Sequence, residues 1–148
     1  MKMKKLIVFL LAAVSFIAMV SVASAANWKR VYSDTDYIIH VDTSSIKRHG
    51  DSFEVMERCY YNSYQSIAAM GIIAAFSPAT IGQSSADVAY DISIVEYKKN
   101  SSQCRRLDGA MFNKRNRMVC PLSTSDWKEC TKKDEAVRRA VKAMKSWR

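Results

Sequence analysis

From Trp28 onward apolar and polar positions alternate in short runs broken by turn-forming residues, and only near the end does the spacing lengthen to that of a helix. Trp28-Lys29-Arg30-Val31-Tyr32 alternates as a strand does, and Ser33-Asp34-Thr35-Asp36 reads as a turn, because these side chains bond their own backbone. Residues 37–41 return to β-branched and aromatic types. Asp42-Thr43-Ser44-Ser45-Ile46 is a short capping-type segment, and Arg48-His49-Gly50-Asp51 is a turn whose glycine can supply a positive φ. In the next strand, 53–61, Phe53, Val55, Cys59 and Tyr61 share one parity and Glu54, Met56, Arg58 and Tyr60 the other, so each set faces one side of a sheet. Glu57 interrupts the apolar side.

Residues 62–86 have no clear period, because Ile67-Ala68-Ala69-Met70-Gly71-Ile72-Ile73-Ala74-Ala75-Phe76 is apolar throughout. At about ten residues the run is too short to span a bilayer. It reads as a buried helix or a loop over the core, against the alternative of an exposed patch used for contact. Val88, Tyr90, Ile92 and Ile94 then alternate with Asp87, Ala89, Asp91 and Ser93, the clearest strand of the chain. A basic turn, Lys98-Lys99-Asn100-Ser101-Ser102, leads to a strand over 103–107. Asp108-Gly109 is a hairpin signal, and after Ala110-Met111-Phe112 a further turn over 113–116 leads to a strand over 117–120. Short strands with turn signals every ten or so residues predict an antiparallel sheet.

The last segment changes period. Thr131-Lys132-Lys133-Asp134 fits a capping box, and Val137, Ala140, Val141, Met144 and Trp147 follow at i, i+3, i+4, i+7 and i+10. Arg138, Arg139, Lys142 and Lys145 make the remaining surface basic. A second start, near 123–126 with Trp127 in the first turn, fits equally well. The predicted class is α+β: a single antiparallel sheet of about six strands with a C-terminal amphipathic helix packed on one face.

The start of the chain has a separate logic. Lys2, Lys4 and Lys5 precede an almost unbroken apolar run over 6–20, and Ala23-Ser24-Ala25 completes an A-x-A cleavage site, so residues 1–25 read as a cleaved signal peptide and 26–148 as one domain. Of the 23 Lys and Arg, three lie in this leader, which leaves 20 against 14 Asp and Glu and a formal charge of +6. No cysteine follows the apolar run, so lipid attachment there is not expected, nor is a transmembrane segment in the mature chain. The destination is periplasmic, secreted or cell-surface.

Export changes how the cysteines are read. Cys59, Cys104, Cys120 and Cys130 are separated by 44, 15 and 9 residues, and an even count in an exported domain predicts two structural disulfides with three open connectivities. These spacings contain no C-x-x-C, and neither His40 nor His49 stands at ligand spacing from a cysteine, so no metal site or redox pair is expected.

The order of elements resembles the bacterial surface-adhesin protein E family. The resemblance is carried by Trp28-Lys29-Arg30-Val31, by Tyr37-Ile38-Ile39-His40-Val41-Asp42-Thr43-Ser44-Ser45-Ile46, by the strand over 53–61, by Ile94-Val95-Glu96-Tyr97 with Cys104-Arg105-Arg106, and by Trp127 with the final helix. It implies a six-stranded antiparallel sheet with a helix laid across one face, a disulfide-stapled fold in which a bond from Cys130 to Cys104 or Cys59 ties helix to sheet. It also implies an adhesive role toward host extracellular-matrix protein.

Candidate chemistry is sparse. His40 falls in a predicted strand and His49 in a turn, no serine sits in a nucleophile elbow, and no glycine-rich phosphate loop is present. Asp34 with Asp36 and Asp87 with Asp91 are carboxylate pairs in turns or on solvent faces, where solvation is the ordinary outcome. The chain therefore reads as a non-enzyme without a cofactor. Positive charge is what rises above background: Asn113-Lys114-Arg115-Asn116-Arg117-Met118 matches polyanion-site patterns, and Lys98, Lys99, Arg105 and Arg106 lie on neighbouring predicted hairpins. Anionic glycans or cell-envelope polymers suit these hairpins better than nucleic acid, for which no motif is visible. The competing function is a periplasmic structural or assembly factor that uses segment 67–76 as its partner contact.

Overall fold

A computed structural model describes residues 26–76 and 88–144. Its elements are β1 (Trp28–Ser33), β2 (Tyr37–His49), β3 (Ser52–Tyr61), α1 (Tyr64–Ala75), β4 (Val88–Lys98), β5 (Gln103–Asn113), β6 (Met118–Pro121), β7 (Lys128–Glu129) and α2 (Lys132–Lys142). All pairings are antiparallel. The strands lie in chain order from β1 to β6, and β7 adds two residues beside β5. This is the α+β sheet that the alternation predicts, with one helix more. The leader, Asp87 and Trp147 lie outside the described residues.

The parity read in 53–61 holds. Phe53, Val55, Cys59 and Tyr61 join Ile39, Val41, Met111 and Val119 in one core, closed by Ala74 of α1 and by Val137 and Val141 of α2. The opposite face carries a second cluster, Met56, Tyr90, Ile92, Ala110 and Phe112. There the rings of Tyr60, Tyr90 and Phe112 follow one another at centroid separations of 5.4 and 5.2 Å, and Arg58 lies 4.2 Å above Trp28.

Helix α2 begins where the capping box places it and not at 123–126. Thr131 Oγ1 accepts from Asp134 N–H and the Asp134 carboxylate accepts from Thr131 N–H, which satisfies donors that a first turn leaves open. Its far end is fastened to the turn between β4 and β5, where Lys99 C=O accepts from Arg138 and Lys142 at 2.9 and 2.8 Å. Arg138 and Arg139 both pair with Glu135 one turn back.

Three local readings are corrected. Asp108-Gly109 is not a hairpin: β5 runs straight through it, and Gly109 is there because it faces Ser93 across the ladder, where a Cβ would stand 2.7 Å from Ser93 Oγ. The segment 42–46 caps no helix but forms an irregularity inside β2, where buried Asp42 Oδ1 accepts from Ser44 N–H, Ser44 O–H and Asn27 N–H. Asp91 is not on a solvent face. It stands opposite Cys59 on the helix-covered side and is buried. Gly50 has a φ of +44°, as its turn requires.

The predicted disulfide staples are not shown by this structure, in which no two cysteines stand at disulfide distance. Cys59, Asp91, Met111 and Cys120 form one row across β3, β4, β5 and β6, so Cys59 and Cys120 are three interstrand steps, or about 14 Å, apart, beyond the reach of a disulfide. Cys104 is different: its thiol is hydrogen-bonded to Cys130, which follows β7.

Candidate functional site

The seven basic residues singled out by sequence do not form one patch. Lys98, Lys99 and Arg105 lie where Tyr97 pairs with Cys104, whereas Lys114, Arg115 and Arg117 lie beyond the pairing of Val88 with Asn113. Nine residues of strand separate those two pairings, or about 30 Å. Antiparallel pairing puts successive turns at opposite ends of a sheet, and that alone divides the set.

The first group is spent on the fold. Lys98 pairs with Asp51 at 3.0 Å and sits 4.6 Å from the Trp127 ring, while Arg105 pairs with Glu96 at 2.7 Å and stacks 4.7 Å from the other partner in that contact, the same Trp127. Lys99 Nζ donates to Gly50 C=O. Arg106 is turned inward, its charge favouring the ionised form of Asp91, and its backbone N–H donates to Ser125 Oγ at 2.8 Å. Trp127 is thus an organiser of cations rather than a helix residue.

The second group is built to be presented. Asn113 is buried, and its Oδ1 accepts from the N–H groups of Arg115 and Arg117 at 2.9 and 3.0 Å. The backbone closes the turn twice more, Asn116 N–H to Asn113 C=O and Asn113 N–H to Arg117 C=O. Asn116 takes the left-handed conformation, φ 59°, and its Oδ1 accepts from the Tyr90 hydroxyl at 3.0 Å. Asparagine is the residue type that serves both needs, binding backbone locally and tolerating positive φ. Lys114, Arg115 and Arg117 are all exposed, and among the described residues none of them forms an ion pair. The sequence places a turn over 113–116, and the structure adds the parts played in it by Asn113 and Asn116, for which an Asn-x-x-Asn frame around basic residues is the legible signal.

A buried polar cluster lies beneath α2. Glu57 accepts a short hydrogen bond from the Tyr97 hydroxyl, and Asp91 accepts from Tyr61 at 2.6 Å and from Ser93 at 3.1 Å. Burial outweighs the Tyr97 bond and holds the Glu57 carboxyl up at about 8, and burial likewise raises Asp91. Lys133 stands above this group with its Nζ 4.1 Å from the Tyr37 ring centre; burial works against its charge, but Cys59, Asp91 and Asp134 outweigh it. Thiols fare as the carboxyls do: burial pushes Cys59, Cys104 and Cys130 up, away from the thiolate that a nucleophile needs. Asp34 and Asp36 are occupied with local structure. Asp34 accepts from Tyr32 O–H and from the N–H groups of Asp36 and Tyr37, and Asp36 accepts from Ser63 O–H.

Segment 67–76 is half core and half surface. Ile67, Met70 and Ala74 pack inward, while Ile72 and Ile73 are 60% and 52% exposed and Phe76 is 85% exposed. No family model matches the chain, and no curated protein or solved structure matches it either.

Proposed function

We propose that this chain is an exported, non-enzymatic binding domain of the adhesin-E type that meets a polyanionic surface through the turn at 113–117. The observation that carries the reading is the contrast in cation use: Lys98 and Arg105 are neutralised by Asp51 and Glu96, whereas Lys114, Arg115 and Arg117 stand on a turn fixed by Asn113 with no acidic partner among the described residues. A preorganised cluster loses less freedom on binding than a floppy one. The non-enzymatic reading is supported by the raised thiols and by carboxylates enclosed under α2.

Retention on immobilised heparin tests it. The wild-type chain should elute at a salt concentration that falls sharply for Lys114→Ala/Arg115→Ala/Arg117→Ala, and little for Lys99→Ala. Equal elution of wild type and the triple variant would sink the proposal.

A further inference from the structure

Helix α1 is apolar on both sides, and only one side is covered. Ser66, Gly71 and Ala74 are buried against the sheet with Ile67 and Met70 beside them, yet Ala69, Ile72, Ile73 and Phe76 form a second stripe at i, i+3, i+4 and i+7 that faces outward. Tyr64, at the start of the helix, is 86% exposed. No Asp, Glu, Lys or Arg occurs anywhere in Tyr64–Ala75. The helix leaves the sheet from the end of β3, and Tyr60 pairs with Tyr90 there as Val88 pairs with Asn113. Helix α1 therefore starts from the end of the sheet that carries the cationic turn. Among the described residues, the acidic residues in the turns at that end are Asp34 and Asp36, between β1 and β2 and four strands or about 19 Å across the sheet from the cations; Asp36 accepts from the Ser63 hydroxyl at the start of α1.

We propose that this end of the molecule docks on an anionic lipid surface: α1 lies in the interface with Ile72, Ile73 and Phe76 among the acyl chains, while Lys114, Arg115 and Arg117 meet the headgroups. The inference rests on the polyanion reading above and names its partner. Charge complementarity selects a lipid layer, because an apolar stripe without a single charge, on a helix that starts from the sheet end carrying three unpaired cations, matches the layering of acyl chain beneath anionic headgroup. Tyr64 has the amphipathic ring that settles at such a boundary. A helix of 12 residues is about 18 Å long, enough to lie along an interface, and no helix among the described residues is long and apolar enough to cross one.

Co-sedimentation with vesicles tests it, using the chain from Ala26 onward, which carries every described element. The probes are phosphatidylcholine vesicles with and without phosphatidylglycerol, alongside heparin. Wild type should bind the anionic vesicles and not the neutral ones. Lys114→Ala/Arg115→Ala/Arg117→Ala should weaken that binding roughly 100-fold and also lose heparin. Ile72→Ser/Ile73→Ser/Phe76→Ser should weaken vesicle binding at least about 10-fold and keep heparin retention unchanged. Circular dichroism on both variants should match wild type, since the replaced side chains are exposed. If the apolar variant binds vesicles like wild type, the lipid inference falls while the polyanion reading stands. If wild type is a dimer that the apolar variant dissociates, the stripe is an interface between copies and the inference is overturned. Wild type that retains on neither probe removes both.

Discussion

Helices α1 and α2 lie on the same face of the same sheet and are both opened by a capping box, yet they are opposite in construction. In α2 the buried positions Val137 and Val141 fall on one stripe and the outward surface is charged, with Glu135 bridging Arg138 and Arg139. In α1 the fully buried residues are only small or polar, Ser66, Gly71 and Ala74, with Ile67 and Met70 half-buried beside them, while Ile72, Ile73 and Phe76 face water. A helix held by its core contacts needs nothing outside; a helix that displays its largest apolar groups is shaped for something beyond the chain. The same division runs through the cations: Lys98 and Arg105 are fastened to Asp51 and Glu96, whereas Lys114, Arg115 and Arg117 have no acidic partner among the described residues.

Charge placed on each helix gives the largest break in that comparison. Val141→Asp puts an unpaired carboxylate at a site with no exposure and should destabilise the fold by about 4 kcal/mol in urea unfolding. Ile73→Asp, at 52% exposure, should cost under about 1 kcal/mol. Similar losses at both positions would mean that α1 is as much a core element as α2.

Legibility follows the same line. The stripe and capping box of α2 could be read directly because a one-sided helix writes its period into the sequence. Segment 67–76 could not, because two apolar faces erase the period, and its exposure is a tertiary fact. The parity of β3 was readable, and Glu57, which breaks it, turns out to be a buried partner of Tyr97. Asp108-Gly109 misled because a glycine that admits a neighbouring strand looks the same as one that makes a turn. Of the candidate site, all seven cations were visible, but their division between two ends of the sheet depends on antiparallel order.

The cysteines near α2 sharpen the comparison by an intermediate amount. In an exported chain Cys104 and Cys130 are the pair placed to close, fastening the residue before the α2 cap to β5, whereas Cys59 and Cys120 should remain thiols. Peptide mapping of the protein folded under oxidising conditions should find that one bond. Cys130→Ser should then lower stability by about 3 kcal/mol relative to the oxidised wild type and leave α1-dependent vesicle binding unchanged.

Beneath α2 the buried carboxyl makes its hold sensitive to pH. Glu57 ionises near 4.5 in the unfolded chain and near 8 in the folded one. Between these values the unfolded state has released a proton that the folded state keeps, so this group's contribution to stability falls as pH rises from about 4.5 to about 8. Glu57→Gln still accepts from the Tyr97 hydroxyl but has no proton to lose. The variant should be more stable than wild type at pH 8 by at least about 1 kcal/mol, with the gap closing toward pH 4.5. A constant difference across that range would mean that Glu57 is ionised in the folded protein.

The smallest expected effect is the most telling about α1. Ile73→Ser removes a large apolar side chain that is half in water, so it forfeits little transfer free energy on folding, and β-branched isoleucine and serine differ little as helix formers. Stability in urea should change by less than about 0.5 kcal/mol. An isoleucine that can be lost without cost to the fold, in a helix whose inward side is already closed by Ile67, Met70 and Ala74, contributes nothing to folding that a polar residue would not. A loss above about 1 kcal/mol would instead place Ile73 in the core and remove the reason for seeking a surface outside the chain.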